Sequence, residues 1–158
     1  MTTTTRIRSE REGGQALVEF SMALIPFLLI LLGIVDLGRG IYVYNGTAQA
    51  AREIARVTVV HPYGGCTTGC ELGTSPDAQG VIATQRGLIP GLALDPSADI
   101  ACVGMSAPGD PEPIVPDDQC RSGSFVRVSV SAPFSPITAS LLGLGPITLS
   151  STSRIEVP

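Results

Sequence analysis

The sequence predicts an α+β protein in which one long N-terminal helix is followed by a small antiparallel β-sheet domain. Three observations predict this class. Residues 20–35 carry no charged side chain, residues 36–60 continue a three- and four-residue apolar repeat that is typical of helices, and residues 125–132 alternate apolar and polar side chains as a half-buried strand does. The chain has 158 residues, so the part outside the helix is long enough for one small domain.

Residues 1–14 are expected to form a disordered leader on the cytoplasmic side of a membrane. They are polar and rich in threonine, and Gly13 and Gly14 are predicted to interrupt any helix before the apolar run. Arg6, Arg8 and Arg11 precede that run. An excess of arginine on one side of a hydrophobic segment places that side in the cytoplasm, so the C-terminal part is expected to be exported.

Residues 15–60 are predicted to form the long helix, whose first part spans the membrane. From Ala16 the apolar run has about 20 residues and measures about 30 Å as a helix, which is enough to cross the hydrocarbon core. Pro26 lies inside this run and predicts a helix kink, which membrane helices tolerate. Polar residues such as Asp36 lie around the apolar face beyond the run, and Pro62 is expected to end the helix.

Glu19 is the carboxylate near the start of the apolar run. A charged side chain inside a membrane segment costs several kcal/mol when it has no partner. The sequence therefore predicts a specific partner for Glu19.

Residues 61–158 are predicted to form the exported domain. Ser75 followed by Pro76 predicts the start of a short helix, because serine is a good N-cap and proline fits the first turn. Strands are expected at about 99–105 and at 147–157 in addition to 125–132, which gives about three strands. Pro133 and Pro136 are expected to end the strand at 125–132, and residues 137–144 are expected to form a short apolar connector. The proline-rich acidic segment 106–119 is expected to be a loop without regular structure.

Four cysteines, Cys66, Cys70, Cys102 and Cys120, lie in the part that is expected to be exported. An even number of cysteines outside the cytoplasm favours disulfides, and three connectivities are possible. Cys66 and Cys70 have the spacing of half a zinc site, but no second ligand pair follows, so no metal is expected.

Several functional classes are disfavoured because their characteristic motifs are missing from the sequence. The sequence suggests no nucleophile–base pair and contains no phosphate-loop or metalloprotease motif, so we predict no catalytic residue, no cofactor and no small-molecule substrate. The net charge is −4 and no basic face follows residue 60, which argues against binding of nucleic acid.

The segment from Gly14 and Gln15 to Glu19 and Phe20 resembles a prepilin peptidase site of the type IV class. Together with Pro26 and the segments 33–39, 50–56 and 147–156, it is similar to the TadE-like family, the minor pseudopilins of tight-adherence (Flp, type IVb) pili. This resemblance implies a pilin-like fold and cleavage after Gly14 by a prepilin peptidase. It also implies a single-pass protein of the cytoplasmic membrane, associated with a pilus, that assembles with other pilins and the pilus machinery.

Cleavage after Gly14 would give Glu19 a specific partner. The new α-amine of Gln15 is cationic near neutral pH. In a neighbouring subunit, offset by about 6 Å of helix rise, it could pair with the carboxylate and set the register between helices. Cyclisation of Gln15 would remove this cation. Major pilins of the class are short and tend to carry tyrosine after the glutamate, so Phe20 and the appended domain favour a minor pseudopilin.

An alternative of another class is an uncleaved, membrane-anchored extracytoplasmic domain that binds or adheres to a ligand. A third possibility, an ordinary signal peptide cleaved near residues 48–50, fits less well, because that site lies more than about ten residues beyond the apolar run.

Overall fold

The computed structural model describes residues 4–62, 71–106, 111–141 and 143–158, with the backbone alone for residues 4–13 and 118. A single long helix packs against a sheet, and two of the three shorter helices in the described chain contact this long helix. In chain order the elements are α1 (Thr4–Val60), α2 (Pro76–Leu88), α3 (Pro96–Asp99), β1 (Ile100–Val103), β2 (Ile114–Val115), a 3-10 turn (Asp117–Gln119), β3 (Phe125–Phe134), α4 (Ile137–Leu141) and β4 (Ile147–Glu156).

The described strands form a single antiparallel sheet in the order β2-β1-β3-β4. β3 and β4 pair along their whole length, from Phe125 opposite Glu156 to Phe134 opposite Ile147. β1 pairs with the first part of β3, and β2 forms a two-residue edge. The predicted α+β class with an antiparallel sheet is therefore confirmed.

The core lies between the C-terminal half of α1, α2 and one face of the sheet. β3 alternates buried and half-buried residues as predicted. Small side chains on the helix meet branched ones on the strand, which allows the backbones to approach closely and excludes water. The central buried residues are Ala50, Ala51, Ile54 and Ala55 on α1, Ile82 on α2, and Val126, Val128, Val130 and Ala132 on β3.

The N-terminal part of α1 differs from the prediction. The helix begins at Thr4 and runs through Gly13 and Gly14, so the expected interruption at these glycines and the expected disorder of the backbone from Thr4 to Gly13 are wrong. Each glycine costs a helix about 1 kcal/mol relative to alanine. A helix that is already formed adds a hydrogen bond with every residue, however, so two glycines do not end it.

The caps of the short helices follow from their sequences. The Ser75 hydroxyl accepts a hydrogen bond from the amide of Ala78 at 3.1 Å, as its predicted role as N-cap of α2 requires. The Asp95 carboxylate before α3 accepts bonds from the hydroxyl and the amide of Ser97 at 2.7 and 3.0 Å. These two bonds hold the pKa of Asp95 below its ordinary value.

β3 continues past Pro133 to Phe134, so the prediction that Pro133 ends the strand is wrong. Ser131 exchanges backbone hydrogen bonds with Ala93, on the side of β3 away from β4. Pro133 is two residues further along, so the N–H that it lacks would point to that same side. β1 does not extend there, and the missing donor therefore breaks no bond to β4.

The described part of segment 106–119 is more regular than predicted. Ile114 and Val115 form β2 opposite Val103 and Cys102, and a 3-10 turn follows. A disulfide between Cys102 and Cys120 closes the segment against β1. The sheet therefore has four strands instead of about three, because pairing and the cross-link outweigh the weak local preference of a proline-rich segment.

We predict opposite effects from two glycine substitutions. Gly73 has a φ of +76°, and a Cβ there would lie 2.5 Å from Ile100 Cδ1, whereas a Cβ at Gly80 would have no atom within 4 Å. Gly73→Ala should lower the free energy of unfolding by about 1–3 kcal/mol. Gly80 lies on the exposed face of α2, and Gly80→Ala should raise the free energy of unfolding by about 0.5–1 kcal/mol. Chemical denaturation of the detergent-solubilised full chain, followed by circular dichroism, measures both. Equal midpoints for the two variants would contradict this account.

Candidate functional site: the apolar span and its junction with the domain

The first part of α1, which we call the apolar span (residues 16–35), is not buried by the rest of the described chain, although its end borders the sheet domain at Gly33. Its most apolar 18-residue window has a mean hydropathy of 2.4, and none of that window is buried. Large apolar side chains such as Phe20, Ile25 and Phe27 are exposed along it. By length and composition this helix is able to cross a membrane.

The predicted processing and pairing residues lie together at the start of the span. Gln15 Nε2 donates a hydrogen bond to Glu19 Oε1 at 3.1 Å, one turn further along the same helix. Gly14, Gln15, Glu19 and Phe20 are all exposed. A Cβ added at Gly14 would meet nothing within 4 Å. The bond between Gly14 and Gln15 and the carboxylate of Glu19 are therefore open to another molecule.

Phe20 lines a shallow apolar groove on the span together with Ala23, Leu24 and Phe27. Pro26 lies within the helix, which continues on both sides of it. A kink at Pro26 stays a prediction.

The junction between the span and the domain is built on Asp36, the residue after the apolar span. Its side chain is 7% exposed. The carboxylate accepts bonds from the amides of Ile137 and Thr138 at 2.8 and 2.7 Å, and from the Thr138 hydroxyl at 2.7 Å. The guanidinium of Arg39 lies 3.6 Å away. Since Ile137 and Thr138 form the first turn of α4, Asp36 supplies this helix with an N-terminal cap from a distant part of the chain.

An apolar groove of about 450 Å³ opens beside this contact, between α1 and the end of the β3–β4 pair. Gly40 allows the close approach there, since a Cβ on it would lie 3.4 Å from the Phe134 ring. The Arg39 guanidinium lies 5.8 Å from the centre of the same ring. The groove is lined by Gly33, Asp36, Leu37, Gly40, Ile41, Tyr44, Phe134, Pro136, Ile147 and Leu149.

Sequence reasoning placed Asp36 among the polar positions around the helix and missed its role. One local signal was available, because Ser135 and Pro136 repeat the Ser75 and Pro76 pattern that predicts a helix start. That signal would have predicted a helix start within the apolar connector at 137–144, and α4 (Ile137–Leu141) does begin there. The partner of this helix start lies 101 residues away from Ile137, and no spacing rule connects the two.

Of the predicted disulfide cysteines, Cys102 and Cys120 are joined, with their Cα atoms 5.8 Å apart. Cys66 and Cys70 lie outside the described residues. His61 Nδ1 lies 3.7 Å from Asp77 Oδ2, and both side chains are exposed. Within the described ranges no group of three or more His, Cys, Asp or Glu side chains is placed to hold a metal ion.

Comparison with protein families gives a match for the helix. Residues 14–56 match the family described as TadE-like protein. The match begins at the predicted processing site, includes Glu19 and Asp36, and ends within the core-facing part of α1. No curated protein and no solved structure matches the chain significantly. The resemblance noted in the sequence is confirmed for this segment, and the sheet domain lies beyond it.

We predict that Asp36→Ala loosens α4. The amides of Ile137 and Thr138 lose their acceptor, so their hydrogen exchange should become faster and the thermal midpoint of the full chain in detergent should fall. Glu53→Gln is the matched control, because it removes an exposed carboxylate from the same helix. Unchanged exchange of the two amides in Asp36→Ala would show that the contact does not hold α4.

Proposed function

We propose, with the TadE-like match of α1 as the premise, that the protein is a pseudopilin that takes part in assembling a tight-adherence (Flp type IVb) pilus. The match indicates involvement with Tad/Flp pilus systems. The observation that carries the proposal is that the matched segment contains an unpacked apolar span with Glu19 near its start. The role is structural and not enzymatic, in keeping with a pilus-associated, non-enzymatic family.

In this proposal a prepilin peptidase cuts the chain between Gly14 and Gln15. Both residues are exposed at the start of the span, which supports access from the membrane surface. The three leader arginines keep the N-terminus in the cytoplasm until the cut. Removal of residues 1–14 then gives Gln15 a free α-amine.

The mature protein pairs with neighbouring pilins through Glu19. Within the described chain Glu19 accepts a hydrogen bond from Gln15, and no opposite charge from the sheet domain reaches the span. A carboxylate in lipid gains most from a cation, and the α-amine of a neighbouring subunit supplies one at a matching depth. The exposed side chains of the span leave room for that neighbour.

The position in the cell follows from the same elements. The span crosses the cytoplasmic membrane once, and the sheet domain lies outside. The Cys102–Cys120 disulfide supports this orientation, because such bonds persist in oxidising compartments.

A minor role in the pilus, as distinct from that of the bulk subunit, fits the size of the domain. The sheet and α2 cover the face of α1 around Ala50, Ile54 and Ala55, so this half of the helix is already packed within one chain. Contacts to other subunits are left to the span.

Processing is tested by the mass of the protein extracted from membranes of cells that carry the pilus system. We expect a species that begins at Gln15, with its mass lowered by that of residues 1–14. Gly14→Leu should stay full length because the peptidase loses its small residue, and Gly13→Leu should still be cut. Full-length protein from the unaltered chain would overturn the proposed processing and favour the uncleaved anchored domain.

Assembly is tested by Glu19→Gln, which removes the charge and keeps the shape. We expect the variant to remain in the membrane after alkaline extraction, because a neutral side chain lowers the cost of insertion. We also expect a marked loss of pili in the sheared surface fraction. Glu53→Gln, on the exposed face of α1 outside the span, should give normal pili. Normal piliation by Glu19→Gln would refute the pairing.

A further inference from the structure

We propose that the lipid bilayer also covers a second apolar surface of the protein, formed by α4 and its connection to β4. The exposed side chains of this surface, which we call the foot, are Ile137, Leu141, Leu144 and Ile147. The domain then rests on the membrane with its foot among the headgroups and the upper acyl chains. This inference depends on the membrane placement of the span in the proposed function.

The depth of the foot is fixed by Asp36. The residue directly follows the apolar span, so it marks the point where α1 leaves the hydrocarbon. Its carboxylate holds the amides of Ile137 and Thr138 at 2.8 and 2.7 Å, so the first turn of α4 lies at the same level. α4 has five residues and is about 7.5 Å long. The headgroup region on each side of a bilayer is about 5–8 Å thick, so α4 lies at the interface or within it.

The chemistry of the foot fits lipid better than water. Its four side chains are between 46% and 69% exposed. The sequence carries no charged residue between Arg127 and Arg154. A water-facing surface of this length ordinarily carries charges, and a group of exposed apolar side chains next to a membrane span favours a membrane contact.

The β3–β4 pair has two unlike ends. Phe134 pairs with Ile147 beside the foot, and Arg127, seven residues before Phe134 in β3, pairs with Arg154. At about 3.4 Å per residue the two ends are about 24 Å apart. Both arginines bind Glu112, at 3.2 and 2.6 Å. All the charge of this ribbon is thus at the end away from the span, as expected if the other end meets lipid.

Arg39 lies at the same level on α1, and two tyrosines lie just beyond it with side chains that lean back toward the N-terminus of the helix. Tyr42 and Tyr44 are exposed and lie about 9 and 12 Å beyond Asp36 along the helix axis. Tyrosine is enriched where proteins meet lipid headgroups. Arg39 is half exposed and can reach a lipid phosphate with its charged end while its stem stays in apolar surroundings. The groove between Ile41 and Ile147 opens between α1 and the foot, so acyl chains can enter it.

The test uses tryptophan fluorescence, because the chain has no tryptophan. Three full-length variants, each with one tryptophan, are reconstituted in phospholipid vesicles whose acyl chains are brominated either near the headgroup or near the chain end. Leu141→Trp reports on the foot and Phe27→Trp on the span. Met105→Trp reports on the far end of the sheet, where Gly104 contacts Arg154. All three residues are exposed, so the substitutions leave the core intact.

We expect bromine near the headgroup to quench Leu141→Trp, bromine near the chain end to quench Phe27→Trp, and neither to quench Met105→Trp. If Leu141→Trp is as insensitive to bromine as Met105→Trp while Phe27→Trp is quenched, the lipid contact of the foot is refuted and the membrane placement of the span is supported. If Leu141→Trp shows blue-shifted emission without quenching, a second copy or another protein covers the foot, and the lipid contact is equally overturned. If Phe27→Trp is not quenched, the membrane placement itself fails, and the proposed function fails with it.

Discussion

The contact of Asp36 with the first turn of α4 links the two unlike parts of the molecule. It joins the end of the apolar span to the connection between β3 and β4, across 101 residues from Asp36 to Ile137. Two backbone amides and one hydroxyl donate to the same carboxylate. Such charge-assisted bonds are stronger than those between neutral groups, and a buried carboxylate without them would be costly. The orientation of the sheet relative to the span is therefore set by directed bonds as well as by apolar packing.

The two halves of α1 face different surroundings although the helix is continuous. The span exposes side chains such as Phe20 and Phe27, whereas Ala51 and Ile54 further along are fully buried against the sheet. Only the second half of α1 contributes buried apolar side chains to the core of the domain. The first half gains nothing from the chain's own fold, so its sequence is free to serve lipid or other subunits.

The parts of the fold that the sequence predicted are those that local patterns determine. The alternation in β3, the Ser75 cap and the apolar span all follow from neighbouring residues, and the structure has them. Two predictions were wrong for the same reason: that Pro133 ends β3, and that the segment containing β2 has no regular structure. In both cases the neighbouring strand or loop decides whether the residues form a strand. Which cysteine pairs with Cys102, and what binds Asp36, are likewise decided by partners far along the chain. At the site, the residues near Glu19 were found by motif, while the junction became visible only in three dimensions.

Gln15 lies one helical turn before Glu19 and is its hydrogen-bond partner in the described chain. Its side chain already donates to Glu19 at 3.1 Å, but a pair one turn apart on a helix contributes only about 0.2–0.5 kcal/mol. A carboxylate costs about 3 kcal/mol at the middle of a membrane helix and less toward its ends. The internal bond therefore leaves most of that cost unmet at any depth well inside the hydrocarbon. Under the proposed processing the same residue gains a cationic amine, which favours association with a neighbour. Cyclisation would consume both the amine and the side-chain amide, so Glu19 would lose both partners at once.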